Sequence, residues 1–469
     1  MVRFGSFAID TRTWTLTRDG APLDLSPRLV EILAYLVERD GAVATKEELL
    51  DRFWPDVHVT ENTLTRAIAD IRKAIGDAAD DPRVIQTLAR RGYRYVGRPP
   101  AAEAGEDPFK QWVSGRLALE SLDPRRLADA RAAMEAAVAA MPDYAPAHAG
   151  VANACLVAFE ATRPRNLPDA SLIAAAAAAA RRAVAIDPKL GEAWAVLGHA
   201  QVLGGLRAES QASLRRAVSL EPDNWRHHFR LALAGWGEER LREADRALAL
   251  LPSCAAAHLL SAMVYVARGA WDRAEAAAMN GARLQDAQGD GAVLPVAGLH
   301  WMLGLVHSAR GQLTDAAAAL AMETEVSSSG LYGNEFRWLA HSSLGYLHLH
   351  EGRRALAASA FRAADAFNPG AARSAVGLHH SGVRDGSAAS LAVAELARGG
   401  KDADAALMRA AMRSWKGETD VAIDLLTDLV GRAAPGPTGW SLGADPMFLP
   451  LRMCSRWPTL LATVAARAA

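Results

Sequence analysis

Asn62-Thr63-Leu64-Thr65-Arg66-Ala67-Ile68-Ala69-Asp70-Ile71-Arg72-Lys73-Ala74-Ile75, closed by Gly76-Asp77, is the stretch that decides the fold of the first hundred residues. Leu64, Ala67, Ile68, Ile71 and Ile75 recur at helical spacing and make one apolar stripe. Asn62, Thr63, Arg66, Ala69, Asp70 and Lys73 fall on the other face. Thr60 offers a capping hydroxyl just before the stretch. The pattern predicts an amphipathic helix with one face to bury and one to offer a partner.

Working upstream, Thr45-Lys46-Glu47-Glu48 is a capping box that opens a helix running to about Trp54, where Pro55 stops it. Ser26-Pro27 opens an earlier helix with Leu29, Ile32, Leu33, Leu36 and Val37 on one face and Gly41 at its end. Residues 2–25 read as strands, with Asp19-Gly20 as a hairpin turn. Downstream, 84–88 and 93–96 are two short strands joined around Gly92. The order is strands, three helices, then a hairpin, which makes the second and third helices a helix-turn-helix and the hairpin its wing.

Charge first points away from nucleic acid. The 469 residues carry 52 Lys+Arg against 53 Asp+Glu, a formal net charge of −1, where a nucleic-acid binder commonly shows a basic domain. Residues 1–98 alone hold 15 of each. Segregation is the informative quantity: Arg83, Arg90, Arg91, Arg94 and Arg98 occur without an acid between them, and Asp77, Asp80 and Asp81 precede them. A basic face can therefore exist in a neutral domain and contact phosphates; the alternative is an ordinary solvated face.

Residues 47–56, 62–77, 85–87 and 90–96 resemble the OmpR/PhoB-type winged-helix DNA-binding domain, in its CadC-like form with the domain at the N-terminus. The resemblance covers about 3–98. It implies base reading by Asn62, Thr63, Arg66, Ala69, Asp70 and Lys73: Arg66 on a guanine edge, Thr63 against a thymine methyl, Asp70 either accepting from cytosine or holding Arg66 as its i, i+4 partner. Arg72 and Lys73, near the helix end, grip phosphates. Arg90, Arg91 and Arg94 of the wing reach the backbone or a minor groove. Tyr93 and Tyr95 contact sugars or pack the core, and 54–59 corresponds to the segment that meets RNA polymerase in relatives, with Trp54 read as a core anchor. No receiver domain precedes this region and no membrane span follows it, so phosphorelay and membrane sensing are not expected.

After a proline-led linker at 99–108 the grammar changes to Ala/Leu/Arg-rich sequence of helical period. Hydrophobic residues are 51% of the chain but aromatics 6%, and mean hydropathy is +0.00, so alanine supplies much of the apolar share and helix is favoured. The phrases Ala183-Val184-Ala185-Ile186-Asp187-Pro188, Ala217-Val218-Ser219-Leu220-Glu221-Pro222 and Ala247-Leu248-Ala249-Leu250-Leu251-Pro252 place prolines 34 and 30 residues apart. Gly345, Gly352, Ala357, Phe361, Ala364 and Pro369 repeat the same offsets. These residues resemble the tetratricopeptide repeat, which implies an all-α solenoid over 109–469 of about eight to ten repeats, with a groove for a protein or peptide partner. The ending, 445–461, resembles the tail of bacterial regulators with similar repeats.

No window offers the ~20 apolar residues of a membrane span, and residues 1–20 lack the pattern of a signal peptide. Cys155, Cys254 and Cys454 have no metal-ligand spacing, and neither do the pairs His227-His228, His348/His350 and His379-His380. Phosphate loops, nucleophile elbows and paired catalytic carboxylates do not stand out. The sequence therefore predicts a multi-domain, non-enzymatic, cytoplasmic bacterial transcriptional regulator needing no cofactor or metal. A winged helix at 1–98 binds double-stranded DNA, and a helical-repeat domain serves a partner, an effector or homo-oligomerisation. The alternatives are a scaffold whose winged helix mediates assembly and a small-molecule sensor working through the solenoid groove.

Overall fold

The computed structural model describes residues 2–4, 7–18, 20–39, 41–55, 61–79, 82–88, 91–96, 108–120, 123–287, 297–325 and 331–469. The chain divides into two compact units, residues 1–113 and 114–469. Most of the expected linker, 99–107, lies outside the described residues, and helix Pro108–Glu120 runs across the division.

In the first unit β1 (Val2–Phe4), β2 (Phe7–Asp10), β3 (Thr15–Arg18) and β4 (Ala21–Leu23) form an antiparallel four-stranded sheet in chain order. Val2, Phe4, Phe7, Ile9 and Leu16 face its core. Helix α1 (Pro27–Glu38) starts with Pro27 in its first turn, and Ser26 caps it by its carbonyl rather than its hydroxyl, accepting from Leu29 and Val30. Ile32, Leu33, Leu36 and Val37 are buried as expected, while Val30 takes the place of the half-buried Leu29.

Strand β5 (Ala44–Thr45) leads straight into α2 (Lys46–Phe53), whose reciprocal Thr45–Glu48 capping box is formed. Glu48 also accepts from Tyr35 and Arg39 of the α1 end, which fastens α1 to α2. Burial raises the Glu48 carboxyl, but the Tyr35 hydroxyl, the Thr45 amide and the Arg39 guanidinium outweigh it and hold it below the usual glutamate value. Helix α3 (Glu61–Ile75) buries Leu64, Ala67, Ile68, Ile71 and Ile75, the whole expected stripe. Its expected cap, Thr60, lies outside the described residues.

The wing strands are β6 (Ile85–Leu88) and β7 (Gly92–Tyr95), and the second sheet has the order β5-β7-β6. β7 therefore pairs on one side with its hairpin partner and on the other with the entry to α2. That second pairing requires glycine: Gly92 has φ of 150°, and a Cβ there would lie 1.9 Å from the Ala44 carbonyl oxygen.

The second unit contains, among its described residues, eight antiparallel helical hairpins, the first Ala145–Thr162 with Ser171–Ile186 and the last Asp402–Ser414 with Thr419–Arg432. One packing rule recurs. Gly198, Gly304 and Gly345 each face the residue 16 positions on (Leu214, Leu320 and Phe361), and a Cβ at these glycines would fall 2.5–2.6 Å from that side chain. Missing side-chain bulk in the first helix thus admits a large side chain from the second, which is the close approach the repeat phrase predicts. The first helices of successive hairpins pack on one another more closely than the second helices do, so the array curves with the first helices inside.

The array also closes on itself. The 163–170 connection of the first hairpin docks near residues 335–401: Arg163 pairs with Glu335 at 2.6 Å, Asn166 donates to the Gly370 carbonyl at 2.8 Å, and Lys401 Nζ donates to the Arg165 carbonyl at 2.7 Å.

Candidate nucleic-acid interface

Helix α3 is amphipathic because its apolar residues recur every three or four positions. Packing that stripe inward leaves Asn62, Arg66, Ala69, Asp70 and Lys73 exposed and Thr63 half-buried. The expected reading residues therefore share one accessible face. No ion pair joins Arg66 and Asp70 among the described residues, so the expected i, i+4 support is not made.

The helix ends in a Schellman turn: Gly76 adopts φ of 69° and the Asp77 amide donates to the Arg72 carbonyl at 2.9 Å. The turn swings the Asp77 carboxylate under the wing, with none of that side chain exposed. Its Oδ1 accepts from the amides of Arg83 (2.7 Å) and Val84 (3.0 Å), and its Oδ2 from Ile85 (2.8 Å). Arg72 sits alongside, 3.8 Å from this carboxylate, and its Nη2 donates to the Ile85 carbonyl at 2.6 Å and the Thr87 hydroxyl at 2.9 Å. Arg72, expected to grip phosphate, is instead an internal strut with 11% of its side chain exposed. Asp77 was legible only as one acid in a loop; the signal that would have singled it out is its place directly after the helix-ending glycine.

On the wing, Arg91 is exposed and Arg94 is half-buried, its Nε donating to Gln86 across the hairpin at 2.6 Å. Arg90 lies outside the described residues. Tyr93 needs a correction. It and Tyr95 are i, i+2 neighbours on a strand and point the same way, and both are 3% exposed, with the Tyr95 ring edge-on to Phe4. Tyr93 is a core residue and is not presented to a sugar. Of the 54–59 segment only Trp54 and Pro55 are described; Trp54 is half-buried beneath the Arg28 guanidinium, 5.9 Å from the ring centroid.

The repeat unit departs from expectation at its groove. The segment after the last hairpin, with a 3₁₀ run at Pro446–Met453 and a helix at Trp457–Arg467, lies along the inner helices. Met447, Phe448, Leu451 and Trp457 are buried there. Asp445 pairs with Arg373, Arg452 donates to the Ser308 carbonyl at 2.6 Å, and Trp415 donates to the Met447 carbonyl at 2.8 Å. The chain's own tail thus fills the concave face over much of 299–414. The tandem histidines have carboxylate partners that spacing did not reveal: His227 with Glu221 at 2.9 Å and His228 with Glu243 at 2.8 Å, on different sides of their helix. Among the described residues no group of three or more His, Cys, Asp or Glu is placed to hold a metal ion, and no helix is long and apolar enough to cross a membrane.

Residues 20–95 match the family model described as "Transcriptional regulatory protein, C terminal". The transcriptional activator CadC of Escherichia coli is 33% identical over 97 residues, which are 20% of this chain and 19% of CadC, so the chain spans about a fifth of that relative's length. The phosphate regulon transcriptional regulatory protein PhoB of Pseudomonas aeruginosa is 28% identical over 95 residues, 20% of this chain and 41% of PhoB. A tetratricopeptide repeat protein from Parabacteroides merdae is 15% identical to this chain, covering 55% of it and 92% of that structure, with a TM-score of 0.38. The N-terminal unit of this chain therefore carries a transcriptional-regulator DNA-binding domain of the OmpR/PhoB type.

Proposed function

We propose that this chain is a cytoplasmic transcriptional regulator that binds double-stranded DNA through residues 1–98 and is governed through the helical repeats of 109–469. The observation that carries this reading is the single exposed face of α3, bearing Asn62, Arg66, Ala69, Asp70 and Lys73, fixed beside a hairpin that presents Arg91. An α-helix fits the major groove, where arginine recognises guanine by two hydrogen bonds, while arginines of a wing neutralise phosphates. Asn62, Thr63, Arg66 and Asp70 read base edges. Lys73, Arg90, Arg91 and Arg94 hold the backbone, and 54–59 meets RNA polymerase. The repeats take a protein partner or form an oligomer through faces other than the stretch of groove their own tail occupies.

Gel-shift titration of the full chain at several salt concentrations tests the assignment. Arg66→Ala should relax sequence preference, whereas Arg91→Ala should weaken every sequence alike and flatten the salt slope by about one. Unchanged binding by the double variant refutes it.

A further inference from the structure

We propose that Asp77, with Arg72, is the positioning device that makes the α3 reading face and the wing a single rigid DNA-binding unit; this rests on the DNA-binding reading above. Two elements that touch DNA at separate places gain affinity from acting together only if their spacing is set before binding, because ordering them on the DNA costs conformational entropy. β7 is paired with β5 on one side, but β6 is the outer strand of this small sheet and pairs only with β7, and a short hairpin pairing is marginal by itself. In this domain that outer strand is held from the helix end as well.

One carboxylate accepts three consecutive wing amides, those of Arg83, Val84 and Ile85, and one guanidinium bonds the Ile85 carbonyl and the Thr87 hydroxyl. Arg72 leaves the last turn of α3 and Asp77 the turn that closes it, both within eleven residues of Arg66. The clamp passes through β6 to β7 by the pairs Gln86↔Arg94 and Leu88↔Gly92, and the Arg91 amide closes the hairpin on the Leu88 carbonyl at 2.9 Å. A buried carboxylate with three amide donors and a nearby guanidinium is satisfied internally. Neither residue is free to meet phosphate, so the pair acts on DNA only through the placement of Arg91 and Arg94.

Asp77→Asn keeps the shape of the side chain but turns one acceptor into a donor facing the Ile85 amide. DNA affinity and its salt slope are measured on the full chain for Arg91→Ala and Arg66→Ala, each alone and combined with Asp77→Asn. Arg91→Ala should cost about tenfold in the parent and close to nothing on the Asp77→Asn background, with the salt slope of Asp77→Asn already reduced by about one. Arg66→Ala should cost the same on both backgrounds. Equal Arg91→Ala losses on the two backgrounds overturn the proposal, as does an Asp77→Asn loss that appears equally in the Arg66 and Arg91 comparisons. If Asp77→Asn does not fold, Arg72→Gln, which removes the bonds to Ile85 and Thr87, is carried through the same cycle with the same expected and overturning results. Failure of both Arg66→Ala and Arg91→Ala in the parent chain refutes the DNA-binding reading itself, a result distinct from loss of coupling alone.

Discussion

Arg373 and Asp445 form a buried two-point ion pair across 72 residues of chain, Nη1 and Nη2 each 2.8 Å from a carboxylate oxygen. The guanidinium also stacks over Tyr346, whose hydroxyl donates to the Arg373 carbonyl at 3.0 Å, and Asp445 accepts from the Met447 amide to start the 3₁₀ run. The pair therefore ties an inner helix to the tail that fills the groove. Removing one partner leaves the other charged, buried and uncompensated, which costs about 3–5 kcal/mol. Arg373→Ala or Asp445→Ala should lower the thermal midpoint of the repeat unit and open the tail to limited proteolysis near residue 440. The double variant Arg373→Met, Asp445→Leu should recover much of the loss. Stability measured by circular dichroism for the three proteins checks this.

Gly92→Ala should damage the first unit selectively. The methyl group would enter the Ala44 carbonyl and break the β5–β7 pairing, with a cost on the order of 3 kcal/mol or more. DNA affinity should fall for every sequence while the far-ultraviolet transition of the repeats stays in place. A Gly92→Ala protein with parental affinity would show that the wing does not depend on this close approach.

Much of this fold was legible because it is encoded locally. The Leu64–Ile75 stripe, the Thr45–Glu48 capping box and the repeat prolines each express a rule that acts over a few residues, and each lies where that rule puts it. The misreadings share another cause. Arg72 is as cationic as Arg66, and what sets it apart is the wing strand that the chain brings back beside it after the turn at Gly76. Tyr93 and Tyr95 stand a two-residue step apart on one strand, which puts both on the same face, and that face is the core. The docking of Asn166 at Gly370 and of Arg452 at Ser308 joins residues 204 and 144 positions apart, beyond the reach of any periodicity.

Stability should also fall on acidification through the histidine range. Burial, helped by Arg230 for His199 and by His379 for His380, lowers both rings from 6.5 to about 4. A histidine with a folded value below its unfolded one binds fewer protons when folded, so its stability contribution is complete above 6.5 and is lost between 6.5 and about 4. Glu160 and Arg163 also face His199, and Lys416 faces His380, so the two rings are tested separately. His199→Gln and His380→Gln should each flatten the fall of the thermal midpoint over that interval. Parallel curves for parent and variants would remove these residues from the account.

The central claim is that the exposed face of α3 reads a DNA sequence. It is tested most directly by mapping the genomic fragments retained by the intact protein beside those retained by Arg66→Ala. The account predicts a recurring sequence among the fragments held by the parent, and its loss or degeneration with Arg66→Ala. Retention with no shared sequence, or one identical in the two proteins, would contradict it.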